Sequence, residues 1–391
     1  MSNQKKSILL VCPKFGLGVN ALGAHTYLFA RELQNFKEVH VLTSTGEKWD
    51  ALADIQVYQH NGSWSFWKLL KTCSKLRKIK FDQLFLQYVP HLYGRAGINL
   101  GVMILLLYLK VFTKIKIEIM YHELFYPIQF NPKALILHFI HQKMLFISIL
   151  AGNQYFCSCH KVKSILERQF FFRKKRMSLL PISSTVDNPS LNNTEIENLR
   201  LDLGIKSDDL VIGSLGNFHP SKNYPLIFEV LAQLERQNKR SFKFIFVGVT
   251  KNEILQNINE SLHYLLDKII LAQGKLDDYQ VRLNMELMDI FIGYFSDGVS
   301  LRRSSIIAAM QSGLRVVTTK SKWTDTFFEN ILEFYLLPVD QDNFKIQSMR
   351  ILTQLSKKNK AETESVRWFY QNHLDWKVTT AKYMENSAHF D

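Results

Sequence analysis

Charge, hydroxyls and a turn coincide in the stretch Asp297-Gly298-Val299-Ser300-Leu301-Arg302-Arg303-Ser304-Ser305. Asp297 and Gly298 predict a tight turn. The apolar residues beyond them predict a helix that stops at Gly313, ahead of the β-branched run Val316–Thr319. A turn running into a helix offers backbone N–H groups and the positive helix end to an anion. Arg302 and Arg303 add two cations, about a hundred degrees apart if both are helical. One could fork onto a phosphate while the other meets an acid or backbone. Ser300, Ser304 and Ser305 could cap the helix or donate to phosphate oxygens. The chemistry predicted is the gripping of a phosphate ester. A plain capped helix with surface arginines is the bland alternative.

The segment from Gly216 and Asn217 to Lys222 makes the same prediction. It follows the strand-like Val211–Leu215 and precedes the helical Tyr224–Gln237. Gly216 permits the turn, and Lys222 adds a full charge to a helix N-terminus. A third loop holds Gly16, Gly18, Asn20, Gly23 and His25 after the strand Ser7–Cys12. Its spacing is not G-x-G-x-x-G, and the chain has no G-x-x-x-x-G-K-[ST], which argues against NAD, FAD and P-loop ATP hydrolysis. Its glycines would let a substrate approach the backbone. His122 and Glu123 directly follow the strand Ile115–Tyr121, where a parallel sheet places reacting groups. His122 suits holding a hydroxyl or acid–base work, or is simply a packed histidine. Gln87–Arg95, with Tyr88, His91, Tyr93 and Arg95, is an aromatic loop suited to lining a cleft.

These loops need elements to hold them. Short apolar runs alternate with helical patterns, as in βαβ units, which gives an α/β fold class. The pattern restarts after the polar stretch 187–209, which reads as a connection between domains. At 391 residues the chain exceeds the usual size of a single core. The division expected is 1–187 and 188–371, each Rossmann-like. Helical patterns at Ala361–Tyr370 and Val378–Asn386 close the chain.

Charge is one-sided. The net charge is +14, with 26 Lys and Arg against 12 Asp and Glu in residues 1–200, and 23 of each beyond. Such asymmetry predicts that the first half faces something anionic: nucleic acid, an acidic membrane leaflet or an anionic lipid-linked substrate. Phe170, Phe171 and Phe172 sit beside Arg168, Arg173, Lys174, Lys175 and Arg176, an interfacial pattern that a buried Phe cluster with a solvated basic turn also fits. Leu100–Leu109 is too short to span a bilayer, and Leu135–Ala151 is interrupted by His138, His141, Gln142 and Lys143. Both read as buried helices or as helices lying on a surface. The N-terminus reads as a first strand and not as a signal peptide, so a cytosolic protein is expected. Of the four cysteines, Cys157 and Cys159 with His160 lack the spacing and number for zinc. No metal and no disulfide framework are expected. No recognition helix, finger or aromatic RNA-binding sheet supports a nucleic-acid partner.

Taken in order, these segments resemble the retaining glycosyltransferases of the GT-B fold, family 4. The likeness runs through the Gly16 loop, Gln87–Arg95, His122-Glu123, Pro181–Asp187, Gly216–Lys222, Val247-Gly248 and Asp297–Thr319. It implies two Rossmann-like domains facing a cleft, and a last helix, about residues 372–391, packed back on the first. It implies a nucleoside diphosphate sugar, UDP- or GDP-linked, on the second domain. Gly16, Gly18, Gly216, Asn217, Lys222, Asp297, Gly298, Val299, Ser300, Arg302, Arg303, Ser304 and Ser305 would form the donor site. An acceptor such as a polyprenyl diphosphate-linked glycan would meet Asn20, His25, Tyr88, His91, Tyr93, Arg95 and Glu123. His122, Lys222, Arg302 and Arg303 would act in catalysis, and no metal is expected. The family's two glutamates, eight positions apart, correspond to Ser300 and Ala308 here. That departure keeps open a non-catalytic GT-B subunit that supports a partner enzyme or binds a glycan.

Overall fold

The computed structural model describes residues 5–18, 20–45, 52, 54–76, 81–125, 131–237, 241–355 and 360–388. Val19 of the first loop lies outside them. The chain divides into two compact units, Met1–Thr185 with Trp376–Asp391, and Val186–Asp375.

The first unit runs β1 (Ser7–Val11), α1 (Ala21–Leu33), β2 (Glu38–Ser44), β3 (Gln56–His60), α2 (Phe66–Leu76), β4 (Gln83–Tyr88), the short α3 (Pro90–Tyr93), α4 (Leu100–Phe112), β5 (Lys116–Tyr121), α5 (Pro132–Ala151), β6 (Gln154–Cys157), α6 (His160–Gln169) and β7 (Met177–Leu179). Its sheet is parallel, in the order β3-β2-β1-β4-β5-β6-β7. β1 and β4 are buried throughout, as strands covered on both faces are; β1 is almost wholly apolar, and β4 buries Gln83 and Gln87 beside its apolar residues. Asn20 starts α1 by accepting from the Gly23 N–H at 2.7 Å, and Asn131 with Pro132 starts α5.

The second unit runs α7 (Asn193–Asp202), β8 (Leu210–Leu215), α8 (Tyr224–Gln237), β9 (Phe242–Val247), α9 (Lys251–Asn257), the short α10 (Leu265–Lys268), β10 (Ile270–Gly274), α11 (Asp278–Leu287), β11 (Ile290–Gly293), α12 (Ser304–Gln311), β12 (Arg315–Lys320), β13 (Phe334–Pro338), α13 (Gln341–Gln354) and α14 (Lys360–His373). Its parallel sheet has the order β10-β9-β8-β11-β12-β13. Counted within the unit this is third-second-first-fourth-fifth-sixth, the Rossmann order. The order reverses between β1 and β4 in one sheet and between β8 and β11 in the other. A crevice opens outside the carboxyl ends of the strands at such a point.

The last helix, α15 (Trp376–Ala388), belongs to the first unit. It packs on α1 and closes the apolar core through Trp376 and Tyr383. Polar contacts fix its register. Tyr383 Oη and Ser387 Oγ each donate to the buried Glu118 carboxylate at 2.6 Å, with Lys116 Nζ 3.3 Å from it. Trp376 Nε1 donates to the Ser184 carbonyl at 2.9 Å.

Two parts of the sequence reading change. The polar stretch 187–209 is no mere connection, because it contains α7, capped by Asn192. Its charges hid a helix that packs on α11. The helix at Ser304 carries no side-chain cap: Arg303 occupies the N-cap position, and none of Ser300, Ser304 or Ser305 caps it.

Candidate functional site

In the second unit the loops after β8 and β11 lie side by side, joined by the Ser296 N–H donating to the Ser221 carbonyl at 3.0 Å. Gly216 ends β8 with φ +118, a conformation that favours glycine. A Cβ there would lie 2.4 Å from Lys222 Nζ, so the missing side chain is the space the lysine occupies. Gly248 repeats the device at the end of β9, where a Cβ would approach the Gly216 Cα to 3.3 Å. The half-buried Lys222 amine lies 3.5 Å from the Leu215 carbonyl oxygen and 5.9 Å from the centre of the Tyr224 ring. Burial, and then the charge of Arg303, push its pKa down to about 8. A half-buried lysine whose charge is disfavoured by a neighbouring guanidinium marks a place where an anion would be stabilised. Asn217, on the same loop, is exposed.

Beyond β11, Gly298 has φ +78, and a Cβ would meet Thr324 Oγ1 at 2.5 Å and Ser321 N at 2.7 Å. The amides of Gly298, Val299 and Leu301 bond to the Phe295 carbonyl, the Thr319 carbonyl and the Asp325 carboxylate. Val299 is fully buried, so it contributes packing to the loop and presents no surface to a ligand. The two arginines do not diverge as helical neighbours would. Arg302 precedes the helix, and both reach Asp297, Arg302 at 3.2 Å and Arg303 through a short contact. Arg303 also covers the Phe295 ring at 4.6 Å. Asp297 thus holds the guanidiniums in place, with Lys222 close enough to feel Arg303. The first amides of α12 to bond within the helix are those of Ile306 and Ile307, both to the Arg303 carbonyl, so the Ser304 and Ser305 amides sit at the positive helix end, where an anion would be favoured. Ser300 Oγ is buried with no hydrogen-bond partner among the described residues, and Ala308 is fully buried on α12.

In the first unit Gly16 (φ +127) and Gly18 (φ +70) form the turn after β1. A Cβ at Gly18 would meet nothing within 4 Å, so open space lies beside it. Asn20 is engaged as the α1 cap. His25, on α1, packs against Trp376 and His122 with ring centres 5.1 and 5.2 Å away. Burial lowers its pKa to about 3, so it stays neutral, and its Nδ1 has no partner among the described residues. His122 Nε2 lies 2.7 Å from Gln87 Oε1. Gln87 therefore favours the tautomer protonated at Nε2. Glu123, His91 and Arg95 are exposed.

Tyr88 and Tyr93 stand apart from this group. Both side chains are buried, so neither lines a surface. Tyr88 packs on Tyr121, and burial raises its phenol pKa. Tyr93 donates to the Val11 carbonyl at 2.9 Å and the Gln87 carbonyl at 2.8 Å, tying together the ends of β1 and β4 at the point where the strand order reverses. Gln87 and Tyr93 as positioning residues are invisible to motif reading, because their partners are set by sheet order. Among the described residues no group of three or more His, Cys, Asp or Glu is arranged to hold a metal ion. Cys157 and Cys159 are buried.

No family model and no curated protein matches the chain. Solved structures do. A glycosyltransferase from Rickettsia africae is similar over 99% of this chain and 98% of its own, with a TM-score of 0.71 and 15% identity. Anabaena HepE, solved with UDP and glucose, is similar over 98% and 100%, with a TM-score of 0.68 and 13% identity. WaaG, a glycosyltransferase involved in lipopolysaccharide biosynthesis, is similar over 97% and 98%, with a TM-score of 0.62 and 14% identity. At such identities the likeness establishes the architecture. The chain has the GT-B fold, α/β with two Rossmann-like domains.

Proposed function

We propose that the protein is a retaining glycosyltransferase that moves a sugar from a UDP- or GDP-linked donor to a hydroxyl of a lipid-linked glycan or surface-polysaccharide precursor. The observation that carries this reading is the Lys222–Arg303–Asp297 cluster at the reversal of strand order in a GT-B fold. The similar structures add support: one was solved with UDP and glucose, another belongs to lipopolysaccharide biosynthesis.

In this reading Lys222 and the Arg302–Arg303 pair meet the donor diphosphate, with Gly216, Asn217, Gly298 and the first turn of α12 around it. Gly16 and Gly18 give the transferred sugar close approach to backbone. The bond between the anomeric carbon and the phosphate oxygen breaks. The acceptor oxygen attacks from the same face, and its proton passes to the leaving phosphate. Charge grows on that phosphate, so cations fixed in advance stabilise the transition state more than the ground state. His122, oriented by Gln87 and backed by the buried His25, holds a sugar or acceptor hydroxyl, and Asn20, His91, Arg95 and Glu123 surround the acceptor. No metal ligand takes part. The protein sits in the cytoplasm, peripherally on the inner face of the membrane, where its basic first half faces anionic lipid.

The test is turnover of UDP- and GDP-sugars in the presence of lipid acceptors, read as released nucleotide and glycosylated lipid. Transfer by the native chain and its loss in Lys222→Ala are expected. Equal transfer by both would sink the assignment of Lys222. Ser300 and Ala308, where carboxylates are expected, favour a second reading, a non-catalytic GT-B subunit. Nucleotide binding without turnover of any donor would select it.

A further inference from the structure

Apart from Phe36 and Trp67, the first unit exposes its large apolar side chains on neighbouring elements, α4, α5 and the turn after α6 with the loop before α4. On α5 the stripe Leu135, Ile136, Phe139, Phe146 and Leu150 faces outward, with Ile136 62% and Phe139 61% exposed. It extends about 22 Å along the helix. The neighbouring α4 adds Val111 and Phe112, the latter 69% exposed. The turn Phe171–Arg176 joins them: Phe170 packs on Phe146 of α5 with ring centres 6.2 Å apart, and Phe171 is 77% exposed. Lys110, near the end of α4, lies close enough to Arg173 and Arg176 to feel their charges. Neither helix nor the turn contains an Asp or Glu, whereas Lys110, Lys133, Lys143 and the Arg173–Arg176 run are all basic. The exposed large apolar residues of the second unit are scattered singly over α7, α13, α14 and a loop, as on ordinary surfaces.

α5 is long and apolar enough to cross a membrane, with 39% of its apolar window buried in the protein. Its inner side is tied down by polar contacts. His141 Nε2 lies 3.1 Å from the Ala96 carbonyl, and Ser148 Oγ lies 2.7 Å from Tyr121 Oη. A helix held this way lies along a surface and does not thread a bilayer. An outward apolar stripe with basic residues beside it and no acid fits the boundary between acyl chains and anionic headgroups.

Building on the peripheral-membrane reading above, we propose that the outer face of α4 and α5, with the Phe171–Arg176 turn, inserts into the acyl margin of an anionic bilayer. Charge brings the protein to the lipid, and the apolar stripe then holds it there. Adhesion by charge alone is salt-labile, whereas apolar insertion persists in salt.

The experiment is flotation of the full chain with vesicles of phosphatidylcholine alone and of equal parts phosphatidylcholine and phosphatidylglycerol, at low salt and in molar NaCl. Binding that prefers the anionic vesicles and survives molar salt is expected. Ile136→Ser with Phe139→Ser should weaken it by roughly tenfold or more, leaving nucleotide affinity and circular dichroism unchanged. A polarity-sensitive fluorophore on Phe139→Cys should shift to the blue on anionic vesicles, a readout that leaves the rest of the stripe intact. Complete release by salt with no blue shift would overturn insertion while sparing charge-driven docking. Binding to neither vesicle would overturn both. A dimer in lipid-free solution that the double substitution dissociates would show a second copy covering this face, and would overturn the lipid assignment.

Discussion

In the proposed transfer, Lys222 is the side chain that faces the growing charge. Its pKa of about 8 is set first by burial and then by Arg303. In that role the cationic form would grip the anion, so nucleotide affinity should fall as pH rises through that value. Titrations between pH 7 and 9.5 check this, and a flat profile would remove Lys222 from the site. Stability follows the linked sign. The unfolded lysine, with its ordinary higher pKa, binds the proton across the window between the two values, so Lys222 makes unfolding harder as pH climbs through it. A bound diphosphate should raise this pKa and release the penalty. Lys222→Ala should cost about 10²–10³ in turnover, the scale of losing one donor aimed at developing charge, with the thermal midpoint little changed.

At the scale of elements, glycines and buried polar pairs set the loops. Gly216→Ala adds a Cβ where Lys222 Nζ now lies and strains a positive φ. It should cost about 1–3 kcal/mol of stability and also displace the lysine, so nucleotide affinity falls together with the denaturation midpoint. Wild-type affinity in this variant would contradict the packing described. In the first unit, Tyr383→Phe deprives the buried Glu118 of one of its two hydroxyl donors. A loss of about 1–3 kcal/mol is expected from urea unfolding, and no loss would mean that α15 is held by its apolar face alone. β1 and β8 and the loops after them were legible, because each is a largely apolar run followed by glycines. The edge strand β3 was not: its QVYQH is half exposed, and its apolar signal is diluted. α7 was hidden by its charge. Helical spacing placed Arg302 and Arg303 apart, yet both precede the regular turns of α12 and converge on Asp297. Tyr88 and Tyr93 looked like cleft residues because aromatic loops often are, and only the sheet order reveals Tyr93 as the clasp between β1 and β4.

The whole molecule joins a basic unit to a slightly acidic one. The first holds 27 Lys and Arg against 11 Asp and Glu, the second 22 against 24, and the exposed apolar stripe lies in the basic unit. The cluster of Gly216, Lys222, Asp297 and Arg303 lies in the other. In the proposed function lipid and acceptor meet the first unit, and the second carries a nucleoside diphosphate site. Calorimetric titration of the purified chain with UDP, GDP, CMP and dTDP tests it most directly, with Lys222→Ala run beside the native protein. Selective binding of UDP or GDP, lost in the variant, is the predicted result. Absence of binding to all four nucleotides, or equal binding by Lys222→Ala, would contradict it.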